Sequence, residues 1–410
     1  MSELFEPTRH VRIEAEWDQS RSEAFISTLF EATEERHAST GYWPAHPNDG
    51  RPPNDKFYMP FYLGIAGIAW AQKELERLGH GTLRNHYEEQ LADCRELQTS
   101  VMMKGIPHPN KAEYLKGLLI AELGCVVAQI KFDQASESLK ADALNLIEDN
   151  LENSVLELLW GSPGSLLVLA SFLKQGLVGR ENAGLFDRGL KYLESQLVTS
   201  PSTQAKLWDQ FLYGEHAHIL GAGHGFAGNS LAIIKAFPFL TETEREQWRQ
   251  LIISTTKLTC VQAGGYVNWR QSIDNNREGR NAYLVQFCHG APGVVICLAP
   301  LMGADPEFDE VLLKAGELTW DAGPLQKGPG FCHGTAGNGW AFLKLFEATR
   351  EEKWLDRAKQ FAAVSIKQAE ATREATGDYR YSLWTGDVGV SLFLNAILTE
   401  DFEVPGFERF

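Results

Sequence analysis

A four-residue glycine pattern recurs through the chain and constrains its fold more than any other feature. Gly64-Ile-Ala-Gly67, Gly161-Ser-Pro-Gly164, Gly225-Phe-Ala-Gly228, Gly290-Ala-Pro-Gly293, Gly334-Thr-Ala-Gly337 and Gly386-Asp-Val-Gly389 all read G-x-x-G and precede apolar stretches of helical character. A degenerate copy, Ala121-Glu-Leu-Gly124, fills the long gap after the first. With it counted, the copies begin 40 to 65 residues apart, enough for two helices and their loops each time. A short pattern renewed once per helix pair is the mark of a repeat architecture. One such turn alone reads as a loop or a close helix contact; seven in register read as about seven helix-pair units. These could stack as an open solenoid, but closing them buries an inner set of helices and gathers the glycine turns at one end. The expected fold class is therefore all-α, an α/α toroid or double-layered helical barrel. It takes in residues 56–410, with 1–55 a helical extension or part of the barrel.

Apolar residues at helical spacing support this reading. Phe25, Leu29 and Ala32 mark a first helix, and further helices are expected near 65–80, 114–131, 165–175, 242–257, 338–348 and 354–369. Strand alternation is scarce. Pro, Gly and Asn concentrate in 42–56 and 104–111, which read as surface loops. With 38 Lys and Arg against 54 Asp and Glu, the net charge is −16, and no dense basic run is present, so nucleic acid is not an expected partner. The opening residues are charged where a signal peptide needs an apolar stretch, and later apolar runs are broken before about 18 residues. The expectation is a cytoplasmic protein with no integral membrane segment, peripheral membrane association being compatible with the sequence. Six cysteines are too few for a disulfide scaffold.

Two of the repeats are chemically enriched, Phe287-Cys288-His289-Gly290 and Phe331-Cys332-His333-Gly334. Thiolate and imidazole suit zinc, and two turns at one end of a barrel can converge although far apart in sequence. The favoured ligands are Cys288, Cys332 and His333, which leave the fourth tetrahedral position for water or an incoming thiol, as in a catalytic site. His289 is a competing fourth ligand or a nearby polar group. Plain packing cysteines are the bland alternative, and it is the preferred reading for Cys94, Cys125, Cys260 and Cys297. His224 occupies the same place in a third turn, LGAGHGFAGN, and suits an acid/base role, with a capping or core histidine as the alternative. Asp209, His216 and His218 are weaker neighbours. Lys327, ahead of a Gly-Pro-Gly turn, can offer a cation to a carboxylate, with Trp320 and Asp321 candidates for the same approach. Arg9, Arg12 and Arg270 are further anion contacts that no spacing selects.

With these motifs in place, the chain resembles the lanthionine synthetase C-like family, especially its stand-alone eukaryotic-type members. FYLGIAGIAWA, LWGSPGSLLVLA, ILGAGHGFAGN, FCHGAPGV, FCHGTAGNGWAFLKL and YSLWTGDVGVSLFL follow the family's successive glycine motifs over nearly the whole chain. The resemblance implies a toroid of inner and outer helices, zinc on Cys288, Cys332 and His333, His224 as the active-site histidine, and Lys327 as a lysine associated with glutathione binding. His289 stands where many dedicated cyclases have tyrosine, and Phe287 replaces a common tryptophan.

The cyclases of that family add a peptide thiol to dehydroalanine or dehydrobutyrine. The stand-alone branch implies addition of glutathione to such residues, with His224 and His289 moving the proton and dehydrated or phosphorylated peptides and proteins as partners. Two other readings remain at this stage. One is a zinc- and glutathione-binding peptide adaptor with little turnover. The other is a carbohydrate-processing α/α barrel, which would need a pair of acids across a cleft rather than repeated Cys and His.

Overall fold

Each turn of the repeat opens a helix that is buried nearly all round, and each of these is preceded by a second helix, buried along one stripe where the side chains are described. The computed structural model describes residues 4–50, 52, 56–101, 114–212, 215–274 and 283–410. The inner helices are α2 (Ile65–Arg77), α4 (Glu122–Phe132), α6 (Ser162–Gln175), α8 (Phe226–Ala236), α10 (Ala291–Leu298), α12 (Thr335–Thr349) and α14 (Asp387–Thr399). They alternate with α1 (Gln19–Thr40), α3 (Glu88–Val101), α5 (Glu137–Asn150), α7 (Gly184–Ser195), α9 (Glu242–Thr259), α11 (Pro306–Ala322) and α13 (Glu352–Thr376). Every residue of α10 is buried, as are Ser162 to Leu173 of α6. By contrast α7 buries only Phe186, Gly189, Leu190 and Leu193, the i, i+3, i+4, i+7 stripe of an amphipathic helix. The result is an α/α toroid, with one helix layer inside the other.

The second glycine of each motif sets the helix register. A Cβ there would lie 1.8 to 2.3 Å from the carbonyl oxygen six residues earlier, at Gly67, Gly124, Gly164, Gly228, Gly293, Gly337 and Gly389 alike. That contact forces glycine at all seven positions, including the degenerate copy. The first position is also tight, a Cβ at its six glycines meeting backbone at 1.8 to 2.6 Å, but one copy admits alanine: Ala121 caps α4 at φ −136°, within the extended range that Gly64, Gly225 and Gly334 also adopt.

Residues two positions before each cap form a backbone ring. Gly223 N donates to Cys288 O (3.3 Å), Cys288 N to Cys332 O (3.1 Å), Cys332 N to Trp384 O (2.8 Å), Trp384 N to Tyr62 O (3.0 Å), Tyr62 N to Leu119 O (2.8 Å) and Leu119 N to Leu159 O (3.1 Å). The link from Trp384 to Tyr62 joins the last repeat to the first, so the units close on themselves rather than running on as a solenoid. Six of the seven junctions are bonded in this way. Among the described residues only the junction between Leu159 and Gly223 lacks the bond.

The remaining structure attaches to this ring. α1, in the outer layer, lies against its outer neighbour α13 and the inner helix α14. Ahead of it, Val11 N donates to Pro324 O (2.8 Å) and Gln326 N to Arg9 O (2.9 Å), tying residues 9–11 to the loop before Lys327. The helix expected over 114–131 begins only at Glu122, because Leu119 and Ala121 belong to the ring turn. The 104–111 loop lies outside the described residues. Antiparallel strands that the alternation did not signal decorate the longest connections: β1 (Leu197–Thr199) with β2 (Lys206–Trp208), β3 (Gln210–Leu212) with β4 (Glu215–Ile219), and β5 (Cys260–Ala263) with β6 (Tyr266–Trp269). β7 (Ser272–Ile273) extends β4, and β8 (Val285–Gln286) pairs with β9 (His289–Gly290). At two to five residues they are too short to leave a period-two pattern. No helix among the described residues is long and apolar enough to cross a membrane.

Candidate functional site

The ring brings the two Cys-His turns side by side. Because Cys288 N donates to Cys332 O, the two cysteines occupy neighbouring places on the rim although 44 positions separate them in sequence. The donor atoms of Cys288, Cys332 and His333 lie within 4.8 Å of one another. Both cysteines are buried, 9% and 6% exposed, while His333 is partly open to the mouth. Two thiols and an imidazole in this arrangement fit a zinc ion and leave one tetrahedral position without a protein ligand.

The surroundings of the sulfurs reinforce that fit. Gln286 Nε2 donates to Cys288 Sγ at 2.9 Å, and the Tyr62 side chain bonds to Cys332. Such outer partners orient a ligand and tune its charge. The Cys288 thiol is held well below its ordinary pKa, first by the hydrogen bond from Cys332 and then, against burial, by the charges of His289 and His333. Cys332 is pushed the other way, chiefly because it keeps the proton it donates to Cys288. His289 stands outside the three-donor group and acts on Cys288 through its charge. Two glycines of the LGAGHG turn allow the next turn to press against this pair: a Cβ at Gly221 would lie 2.1 Å from Cys288 O, and one at Gly223 would lie 2.9 Å from Cys288 Cβ.

That packing brings His224, the residue after Gly223, to the same rim. Its Nδ1 lies 2.7 Å from Glu157 Oε2, and its ring stacks on Trp160 with centroids 5.9 Å apart. Glu157 is fully buried, and its other oxygen accepts the Trp160 backbone N–H at 2.7 Å. The preceding Leu156 sits at φ +55°, a costly conformation for a branched side chain, and the side-chain amides of Asn229 (2.9 Å) and Gln210 (3.4 Å) hold its carbonyl. The pair therefore crosses the one rim junction that lacks a backbone bond. A carboxylate on Nδ1 favours the imidazole tautomer that carries its proton there.

Other sequence candidates distribute differently. Lys327 is exposed, and its charge reaches Cys332. Trp320 instead packs between helices, against Phe342 and Phe361 and under the Arg357 guanidinium, and Asp321 bonds to Tyr266. His216 pairs with Asp209 (2.9 Å) on the exposed β3–β4 hairpin, and His218 faces Asp274 (3.7 Å). Arg9 pairs weakly with Glu6 (3.9 Å), Arg12 is exposed, and Arg270 donates to Tyr283 Oη (3.2 Å). Cys94, Cys125 and Cys297 are buried packing groups whose thiols burial pushes up. Sequence reasoning missed Glu157, Tyr62 and Gln286. A signal existed only for Glu157, an acid interrupting the apolar run Val155-Leu-Glu-Leu-Leu-Trp160, where a lone buried carboxylate needs a partner.

A closed ring of seven helix pairs, with two buried cysteines and a part-exposed histidine clustered on its glycine rim, defines the class of α/α toroid proteins with a thiol-rich centre. The chain belongs to the lanthionine synthetase C-like family, whose model matches residues 58–408. It is 28% identical over 375 residues to "LanC-like protein GCL1" of Arabidopsis thaliana, spanning 85% of this chain and 80% of that relative. It is 31% identical over 181 residues to "Glutathione S-transferase LANCL1" of Danio rerio, covering 44% of this chain and 43% of that protein. Among solved structures, nisin cyclase superposes with a TM-score of 0.59 over 93% of this chain and 95% of its own, at 15% identity, a likeness of fold.

Proposed function

We propose that the protein is a zinc-dependent thioether-forming enzyme that adds the thiol of glutathione to dehydroalanine or dehydrobutyrine residues in peptides or proteins. The observation that carries this reading is the Cys288, Cys332 and His333 cluster with the His224–Glu157 pair on the next rim turn. The similarity to a relative named as a glutathione S-transferase supports the choice of thiol.

A zinc ion held by the three residues would lower the pKa of an incoming thiol and keep its sulfur a nucleophile. In the addition, sulfur bonds to the β-carbon of the dehydrated residue, the carbon–carbon double bond opens, and the α-carbon takes up one proton. His224 Nε2 takes up the proton that the thiol gives up and passes it to the α-carbon while Glu157 holds Nδ1, and His289 stands beside Cys288 as a second proton carrier. Lys327 offers its ammonium to a glutathione carboxylate. Gln286 and Tyr62 spread charge away from the sulfurs.

The test is mass spectrometry of a dehydrobutyrine peptide incubated with glutathione and protein. A mass gain of one glutathione, lost in Cys332→Ala, is the expected result; adduct formation unchanged by Cys332→Ala would overturn the zinc-centred proposal. Running the phosphorylated peptide alongside distinguishes addition alone from elimination followed by addition.

A further inference from the structure

Residues 401–410 follow α14 and form a plug among the inner helices that reaches the aromatic residues of the two Cys-His turns. Phe407 is fully buried, with its ring centroid 5.4 Å from those of Phe287 and Trp384 and 6.4 Å from that of Phe331. The other three rings also touch one another: Phe287 and Phe331 lie 4.5 Å apart, and Trp384 packs edge-on against Phe331 at 5.0 Å. Phe287 precedes Cys288, Phe331 precedes Cys332, and the Trp384 carbonyl accepts the Cys332 N–H. Two rings of this cluster thus belong to the turns that carry the sulfurs, a third to the neighbouring turn that accepts the Cys332 N–H, and the fourth is supplied by the segment after α14.

The plug is anchored independently of those turns. Glu408, fully buried, lies 2.7 Å from Lys344 Nζ on α12 and 2.8 Å from Lys235 Nζ on α8, and also accepts the Val404 N–H at 3.0 Å. Arg409 reaches Glu74 on α2 at 3.3 Å, and Phe410 N donates to Ser171 Oγ on α6 at 3.0 Å. Gly406, at φ +72°, lets the chain turn sharply where a Cβ would meet Leu383 at 3.0 Å. Four inner helices therefore clamp the segment.

We propose that the 401–410 plug is a positioning element for the Cys288, Cys332 and His333 centre, with Phe407 the buttress that fixes the two cysteine turns at ligand spacing. This rests on the metal reading above. Edge-to-face aromatic contacts are directional, so removing one ring frees Phe287 and Phe331 to shift, and each carries a cysteine backbone with it.

The test compares three variants of the full, zinc-loaded chain. Phe407→Leu removes the ring, Glu408→Gln loosens the anchor, and Phe186→Leu removes a fully buried ring of α7 stacked on Phe239, outside the aromatic cluster. Zinc transfer to a chromogenic chelator and the absorption bands of the cobalt-substituted protein are measured. Phe407→Leu is expected to release zinc ~10-fold faster and to shift the cobalt bands, as loss of an outer-shell contact does. Glu408→Gln should change both in the same direction by less, and Phe186→Leu should leave both unchanged even where it lowers Tm as much. Wild-type release and spectra in Phe407→Leu and Glu408→Gln, from a wild type that binds zinc, would overturn the buttress alone. A wild type that takes up no metal would overturn the metal reading and the buttress together.

Discussion

Replacing Gly290 by alanine tests whether the glycine turns determine the ring. Gly290 sits between the Cys288-His289 pair and α10 at φ +104°, and a Cβ there would lie 1.8 Å from the Leu284 carbonyl oxygen and 3.0 Å from Asn268 Oδ1. The unfavourable backbone conformation costs ~1–3 kcal/mol. Displacing the carbonyl adds ~1–3 kcal/mol of overpacking, so the total is about 2–6 kcal/mol. At roughly 2.1 cal/mol/K per residue, 410 residues give an unfolding entropy near 0.9 kcal/mol/K, and Tm falls by about 2–7 °C. Asn268 Oδ1 also accepts the N–H groups of Trp269 and Ala291 (both 2.8 Å), so the disturbance passes to the start of α10. Gly184→Ala is the matched control. Gly184 opens α7 at φ −59° with nothing near its Cβ position, so the same change is expected to be neutral or to stabilise by up to about 1 kcal/mol. Calorimetry of the two variants beside the wild type reads the difference. Equal Tm values for Gly290→Ala and the wild type would refute the account of the turn.

Three further predictions concern proton positions. His224→Asn is expected to lower the rate of adduct formation ~10²–10⁴-fold while leaving metal content unchanged; Glu157→Gln, which preserves shape but not charge, should lower it less, and single-turnover mass spectrometry checks both. Asp387, fully buried at the start of α14, has its pKa raised from 3.8 to about 7, first by burial and then by the charge of Asp49, against the Arg380 backbone N–H and guanidinium. Because the folded state holds this proton more tightly, its contribution to stability is complete below about pH 4 and is lost as pH rises through about 7, by at most about 4 kcal/mol. Asp387→Asn should therefore gain stability relative to wild type at pH 8 and little at pH 4, as read by denaturant midpoints. Glu408 runs the other way: burial opposes its charge, but Lys344 and Lys235 hold its pKa at about 2, so the stability it brings is present above about pH 4.5 and is lost in acid.

The repeat was legible because each second glycine faces a carbonyl at the same offset, a constraint that leaves no other residue type and so marks the sequence seven times. Cys288, Cys332 and His333 were legible for the same reason, since they occupy equivalent places in two marked turns. Glu157 was not. It lies 67 positions from His224, in a segment with no motif of its own, and only ring closure across the Leu159–Gly223 junction makes the two neighbours. Phe407 was hidden likewise, as an ordinary aromatic residue whose partners belong to repeats five, six and seven. Trp320 shows the converse error: proximity in sequence to Lys327 suggested the mouth, whereas its helical stripe places it between the layers.

Metal content of the purified chain tests the central claim most directly. Elemental analysis is predicted to find one zinc per wild-type chain and almost none in Cys332→Ala, with the helical circular dichroism of the two indistinguishable. Zinc retained at full occupancy in folded Cys332→Ala, or absent from a wild type supplied with the metal, would contradict it.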